Sequence, residues 1–194
     1  MTVLRTPVLA VAAVTLTLGG CGYNTIPTQE EAARTKWADV EAQYQRRADL
    51  IPNLVATVQG ASIAERETLT GVIEARSRAT SIQLDADALS DPAAVARYQA
   101  AQGELSQALS RLMLVVEQYP QIQSNANFIA LQSQLEGTEN RIAVARRDYN
   151  EAARVYNTTL RTFPGNIWAS TFHSGSDPLP LFTASPGAET APQP

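Results

Sequence analysis

The longest regular pattern of apolar residues lies in the second half of the chain, over residues 125–161. Apolar side chains, with one threonine among them, recur there in steps of three and four residues over about four heptads. The positions are Phe128, Leu131, Leu135, Thr138, Ile142, Ala145, Tyr149, Ala152, Tyr156 and Leu160. A helix places such residues on one side, whereas a strand cannot. The pattern therefore predicts a long helix that packs against other helices along this seam.

A stripe of polar residues borders the seam. The polar stripe consists of Glu139, Arg146, Asn150 and Asn157. These side chains fall within about 40° of one another on a helix that turns by about 100° per residue. Two interpretations stay open: a hydrogen-bonded network that sets the helix register, or a polar groove that binds a peptide, a headgroup or a small ligand. In either case Arg46, Arg47 and Asp49 are candidates to face the stripe from another helix.

The first half of the chain also shows helical periodicity. A capping box predicts a helix start near Thr28, and the pattern continues to about Ile73. Gly60 and Gly71 are expected to be tolerated inside this segment at a cost of about 1 kcal/mol each. Pro52 removes an amide donor, so the helix either kinks there or stops and restarts. A kink is the preferred interpretation.

A further helix is predicted over residues 92–118. Asp91 and Pro92 form a helix start, and Tyr119-Pro120 ends the segment. Residues 112–116 are apolar on all sides, which indicates a position deep in the core. Together these segments predict an all-α fold, an antiparallel bundle of three to four long helices with a flexible C-terminal tail.

The N-terminus predicts a lipid anchor. Residues 7–18 are apolar but too few to cross a bilayer as a helix, which is typical of a signal peptide. A bacterial lipobox follows, made of Leu18, Gly19, Gly20 and Cys21. We expect Cys21, the single cysteine of the chain, to carry acyl chains such as palmitate after cleavage. The alternatives are an uncleaved anchor or an incidental thiol. In a source with two membranes, Gly22 in place of aspartate favours the outer membrane.

These signals divide the chain into five predicted parts. They are a signal peptide at 1–20, a tether at 21–27, a helical bundle at 28–165, a docked tail at 166–183 and a disordered tail at 184–194. The net charge is −4, and removal of Arg5 with the signal peptide leaves 14 basic and 19 acidic residues, or −5. An acidic chain without a dense basic run argues against nucleic acid as a partner.

No catalytic, cofactor or metal site is predicted. His173 is the single histidine and lies in the tail beside Ser174, so a Ser-His-Asp set would depend on a poorly placed residue. The acidic residues at 81–91 lack the glycine and the ligand number of a calcium loop, and we interpret them as a solvated connector. We therefore expect a protein that is not an enzyme.

Several spaced blocks resemble one known family. Residues 46–55 are similar to the Arg-x-Asp-Leu-Ile-Pro-Asn-Leu-Val block of the LemA family. Further blocks are Glu74-Ala75-Arg76, Tyr119-Pro120, Thr138-Glu139-Asn140-Arg141-Ile142, Ala145-Arg146, Tyr149-Asn150, Tyr156-Asn157 and Phe163-Pro164. The resemblance covers residues 23–182. It implies a membrane-associated, mostly helical bundle without an assigned enzymatic activity. Family members usually begin with a transmembrane helix, and the lipobox of this chain departs from that pattern.

Two functional hypotheses follow. The first is a scaffold or interaction protein of the bacterial cell envelope, anchored in the membrane through Cys21 and bound to an unidentified envelope protein. The second is a ligand- or peptide-binding module that uses the polar stripe with Arg46 and Arg47. The oligomeric state stays open, since the same heptad seam serves a bundle core or a dimer.

Overall fold

The computed structural model describes residues 23–60, 65–85 and 88–183, and this part of the chain contains helices and irregular segments but no strand. The helices are α1 (Thr25–Gly60), α2 (Arg66–Ser81), α3 (Pro92–Val116), α4 (Pro120–Gln123), α5 (Ala126–Arg161) and α6 (Gly165–Thr171), with a 3₁₀ turn at Ala88–Ser90. The all-α prediction is confirmed for these residues. The predicted signal peptide, the lipobox with Cys21 and the predicted disordered tail lie outside them.

Helices α1 and α5 form the centre of the bundle. Each is 36 residues long. They run antiparallel, because the first half of α1 shares an apolar cluster with the second half of α5, and the other halves share a second cluster. Helices α2 and α3 pack on one another as a hairpin beside α1. Four long helices therefore surround the core, within the predicted range.

The first predicted helical segment proves to be two helices. Helix α1 continues through Pro52 and ends at Gly60, and α2 begins at Arg66. The prediction that Gly60 lies inside one helix was therefore wrong, and the separation occurs at this glycine instead of at Pro52. The physical reason is packing: α2 lies beside α1, and its apolar face covers α1 and α3, which outweighs the small gain in free energy from a longer α1.

The N-terminal boundary also differs from the prediction. Helix α1 begins at Thr25, three residues before the predicted start at Thr28. Ile26 is fully buried in the core, and its burial stabilises this additional helical turn. Residues 25–27 of the predicted tether thus belong to the bundle.

The predicted starts of α3 and α5 are confirmed by their caps. The Asp91 side chain accepts a hydrogen bond from the Ala93 amide at 2.8 Å, and Asn125 accepts from the Asn127 amide at 2.9 Å. The predicted seam of α5 is buried except near its end, where Ala153 replaces Ala152 as the buried position. A straight helix drifts relative to a strict heptad repeat, which shifts the buried face by one residue.

The expectation that residues 112–116 lie deep in the core was wrong for the middle of this run. Leu112 and Val116 are buried, but Leu114 is 62% exposed. Only one side of α3 faces the bundle here, and the described residues leave the opposite side open to solvent. Within the described residues, no helix combines the length and the apolar character needed to cross a membrane.

Candidate functional site

Arg47 is the centre of a polar layer inside the bundle. Its side chain is 1% exposed. One terminal nitrogen donates to Ser106 Oγ and to Glu139 Oε1, each at 2.8 Å, and the other donates to Gln102 Oε1 at 2.6 Å. The guanidinium carbon lies 5.0 Å from the centre of the Tyr44 ring. A buried guanidinium needs such partners to offset its desolvation.

The polar layer divides the core into two apolar clusters and joins all four long helices. One cluster holds Leu50 to Val58 of α1, and the other holds Ile26 to Tyr44. Gln102 extends the layer to α2, because its Nε2 donates to the Ala79 carbonyl at 3.1 Å. A polar layer with specific partners on every helix favours one register over others. This arrangement matches the first of the two interpretations of the polar stripe, but only for Glu139.

The structure places Arg46 and Asp49 outside this layer. Arg46 donates to Gln134 Oε1 at 3.2 Å on the exposed surface, and Asp49 accepts from Gln45 Nε2 at 2.8 Å. In a helix, residues next to Arg47 point away from the face that it uses. Of the three candidate partners on α1, only Arg47 therefore contacts the stripe.

Asn150 and Asn157 of the stripe bind the backbone of the C-terminal tail. Asn157 Nδ2 donates to the Leu179 carbonyl at 2.8 Å, and its Oδ1 accepts from the Leu179 amide at 2.8 Å. Asn150 makes the same pair with Phe182, at 2.9 and 2.8 Å. A side-chain amide can bond both the N–H and the C=O of one residue only where the backbone of that residue is extended.

The spacing of the two asparagines matches that of the segment they hold. Seven residues along a helix span about 10.5 Å. Three residues span about 9.3 Å in the polyproline II conformation, which has three residues per turn. Leu179 and Phe182 therefore present their backbones to the same side, and the neighbouring Pro178 and Pro180 favour that conformation. We call residues 178–183 the docked segment.

Two further side chains of α5 hold the docked segment. The Tyr149 hydroxyl donates to the Pro180 carbonyl at 2.9 Å, and burial keeps the pKa of this phenol above its ordinary value, so it stays a donor. Arg146 donates to the Thr183 carbonyl at 2.9 Å, and its guanidinium carbon lies 4.7 Å from the centre of the Phe182 ring. Three of the four stripe residues thus bind the tail.

The docked segment buries two of its side chains. Leu179 and Phe182 belong to the apolar cluster around the first half of α1. The Phe182 ring stacks on Trp37, with centroids 5.5 Å apart, and meets Tyr149 edge-on at 5.6 Å. Leu181, within the predicted docked tail, is exposed. The buried positions are thus three residues apart.

The described residues form a groove beside Thr183, the last residue of the docked segment. The groove lies between α3 and α5 and has a volume of about 700 Å³. Its lining includes Ala100, Gly103, Glu139, Arg146, Phe182 and Thr183. The docked segment runs along α5 from Asn157 towards Glu139. The groove lies on the Glu139 side of this segment.

An aromatic group occupies the end of the bundle where α1 begins. The Tyr23 ring contacts Trp168 at 6.0 Å and Phe172 at 5.9 Å between centroids. His173 Nε2 lies 3.2 Å from the Tyr23 carbonyl oxygen, which gives this histidine a structural contact. Ile167 and Phe172 lie within the predicted docked tail, but their side chains are exposed. The described residues contain no group of three or more His, Cys, Asp or Glu placed to hold a metal ion. The lack of catalytic activity stays a prediction.

Comparison with known proteins decides the family. A sequence model of the LemA family matches residues 36–193. The chain belongs to the LemA family. Two relatives of this LemA protein are the magnetosome proteins MamQ 2 and MamQ 1 of Paramagnetospirillum magneticum (strain AMB-1). Each is 32% identical to this chain over 184 residues, and the match covers 87% of this chain and 67% of the relative. Magnetosome protein MamQ of Magnetospirillum gryphiswaldense (strain MSR-1) is 28% identical with the same coverage.

Two of the blocks that carry the LemA resemblance contact one another in the structure. Residues 46–55 cross the polar layer and contain Pro52, and Arg76 of the second block donates to the Ala48 carbonyl at 2.8 Å. After the block at Phe163-Pro164, Gly165 is buried, and a Cβ there would lie 2.2 Å from the Thr159 carbonyl oxygen. Only glycine fits this turn without a shift of the backbone.

Sequence reasoning missed two members of the polar layer, Gln102 and Ser106. Both lie on α3, and Gln102 is buried in the face that otherwise carries Tyr98 and Leu105. A polar residue inside an apolar seam is the signal that was available. The tail contacts of Asn150 and Asn157 had no such signal, because their partners are backbone groups, which every sequence contains.

Proposed function

We propose that this LemA protein is a lipid-anchored helical bundle of the bacterial cell envelope that acts as a scaffold or interaction protein. Membership of the LemA family supports association with a membrane. The relatives named as magnetosome proteins support a role at a bacterial compartment. The lipobox at Cys21 supports the anchor, and the protein is not an enzyme in this proposal.

The observation that carries the proposal is the apolar surface at the anchor end of the bundle. Tyr23 follows Cys21 by two residues. Phe172, whose ring contacts Tyr23, is 63% exposed. Phe163, two residues after the end of α5, is 80% exposed, and Ile167 is exposed between them in sequence. Aromatic side chains favour the membrane–water interface. A bundle anchored through Cys21 would bring this surface against the lipid headgroups.

Membrane fractionation tests the anchor. In cells, Cys21→Ser should move the protein from the membrane pellet to the soluble fraction, because the substituted residue cannot carry acyl chains. Ser174→Ala, a change at an exposed tail residue, is the control and should stay in the pellet. If the Cys21→Ser protein stayed in the pellet after a high-salt wash, the anchor would be rejected.

A second candidate function is peptide binding through the polar stripe. The specific observation in its favour is the pair of asparagines that already holds an extended segment. This function is compatible with a scaffold, since the groove would be the surface that contacts the partner.

A further inference from the structure

We infer that a cavity between α1, α3 and the connector after α2 is a binding site for a short alkyl diamine, held by the side chains of Glu41, Asp85 and Tyr98. We call this space the carboxylate cavity. The inference goes beyond the proposed scaffold role and does not depend on the lipid anchor. Its test uses no membrane, so the two proposals can fail separately.

The carboxylate cavity has a volume of about 400 Å³. One wall is the face of α1 that carries Glu41, Tyr44 and Ala48, which lie on one side of the helix because they are three and four residues apart. The end of α2, residues 82–85 of the connector and Tyr98 of α3 form the other walls. Ligand pockets commonly measure about 300–1,000 Å³, so the space suits a small ligand.

Two carboxylates border this cavity without a counter-charge. Glu41 is half-buried, and Asp85 is exposed. Neither forms an ion pair with a described residue, and the described residues that line the cavity include no lysine, arginine or histidine. Burial raises the pKa of Glu41, and the charge of Asp85 adds to the rise, so the two carboxyl groups repel one another. A bound cation would offset both the repulsion and the desolvation of Glu41.

A buried tyrosine presents an unpaired hydroxyl to the same cavity. Tyr98 is 5% exposed, and its ring lies 5.5 Å from that of Trp37 and 5.7 Å from that of Tyr44, measured between centroids. The hydroxyl forms no hydrogen bond with a described residue, and its oxygen is not sealed in the core, so it opens on the cavity. Burial raises the pKa of this phenol, and the charge of Glu41 adds to the rise, so the hydroxyl stays protonated. Buried polar groups generally have a partner, and here a ligand would supply it.

The lining favours an organic cation over a metal ion. Among the described residues no third His, Cys, Asp or Glu joins the two carboxylates, and a protein site for a metal ion needs more such ligands. An ammonium group offers several N–H donors, for which carboxylates and a hydroxyl oxygen are acceptors. Ile82 and Leu84 also line the cavity and suit a short alkyl chain. An ammonium group at each end of that chain balances both carboxylates.

Isothermal titration calorimetry of the full chain with putrescine, a short alkyl diamine, tests the site. We expect saturable binding with a Kd of about 1 mM or tighter, because so small a ligand makes few contacts. Butylamine, which has a single ammonium group, should bind about threefold or more weakly, and butanol should not bind. Absence of saturable putrescine binding, or equal binding of butanol, would overturn the proposal.

Substitutions in the cavity locate the site, and circular dichroism checks that each variant is folded. Glu41→Gln should weaken putrescine binding about tenfold or more, and Asp85→Asn, at an exposed position, about threefold or more. Tyr98→Phe keeps the ring and removes the hydroxyl, and it should also weaken binding about threefold or more. Glu31→Gln removes the same charge from an exposed position of α1 outside the cavity and should leave the affinity within about twofold. Equal effects of Glu31→Gln and Glu41→Gln would show a general attraction to an acidic chain and overturn the assignment.

Competition with calcium distinguishes the two classes of cation. At constant ionic strength, about 1 mM calcium chloride should leave the Kd for putrescine within about twofold, because two carboxylates hold this ion weakly. A larger loss of affinity would identify a metal site and overturn the assignment to a diamine.

Discussion

Arg76 donates its Nε hydrogen to the carbonyl oxygen of Ala48 at 2.8 Å, and this carbonyl is the one that Pro52 leaves without its helical partner. In a regular helix the amide of residue 52 would bond the carbonyl of residue 48, but proline has no amide hydrogen. Helix α2 returns beside α1 and supplies the missing donor. The relationship explains how α1 continues through Pro52.

Removal of this donor should destabilise the bundle. Arg76→Met keeps the length of the side chain but leaves the Ala48 carbonyl partly buried and unpaired, so we expect a loss of about 1–3 kcal/mol in the free energy of unfolding. Arg78→Met is the matched control on the same helix. Arg78 pairs with Glu104 at 3.1 Å on the exposed surface, and its loss should cost less than about 1 kcal/mol. Urea unfolding followed by circular dichroism measures both.

A double-mutant cycle isolates the link between Arg76 and Pro52. In a Pro52→Ala background the new amide can bond the Ala48 carbonyl, so Arg76→Met should cost less there, by about 1 kcal/mol or more. An unchanged cost would show that Arg76 stabilises the protein by other means.

The polar layer around Arg47 should respond unequally to changes in its two charged members. Arg47→Met removes the N–H groups that donate to Gln102, Ser106 and Glu139, and it should lower the free energy of unfolding by about 3–5 kcal/mol. Glu139→Gln keeps an acceptor for Arg47 and should cost about 1 kcal/mol. Arg46→Met, a change at the exposed neighbour, should be close to neutral. Thermal and urea unfolding report these differences, and an Arg47→Met variant as stable as the original would contradict the role of the layer.

Glu41 should make stability depend on pH. Burial raises the pKa of Glu41 above its ordinary value of 4.5, the charge of Asp85 adds to the rise, and the indole of Trp37 opposes it. A carboxyl whose pKa is higher in the folded state favours folding when protonated, and this contribution is lost as the pH rises through the folded pKa. Glu41→Gln should therefore match the original stability near pH 4 and exceed it at pH 7. If the difference in stability between Glu41→Gln and the original protein were the same at pH 4 and at pH 7, the prediction would be contradicted.

The aromatic end should contribute to membrane contact apart from the acyl chains. In the Cys21→Ser background, Phe163→Ser with Phe172→Ser should lower partitioning onto phospholipid vesicles about tenfold or more, because two exposed apolar side chains no longer enter the interface. Leu114→Ser removes an equally exposed apolar side chain from α3 and should change partitioning little. Vesicle flotation gives both values, and equal losses would show that the contact is not specific to this end.

Local signals in the sequence predicted the starts of α3 and α5 correctly. Asp91 and Asn125 act as caps through their own side chains, and the heptad seam of α5 is long enough to identify the helix alone. The end of α1 at Gly60 was not predictable in the same way. A glycine costs a helix only about 1 kcal/mol, so packing of α2 against its neighbours decides whether the chain turns there.

The polar stripe of α5 also combines a feature that the sequence predicts with contacts that only packing decides. The sequence by itself determined that Glu139, Arg146, Asn150 and Asn157 share a face, because that follows from the helical repeat. Only the tertiary structure decided that Glu139, at the surface, pairs with the buried Arg47 while the other three hold the tail. Their partners are distant in the chain, and several are backbone groups that carry no sequence signal. Such pairings form only when packing brings the segments together.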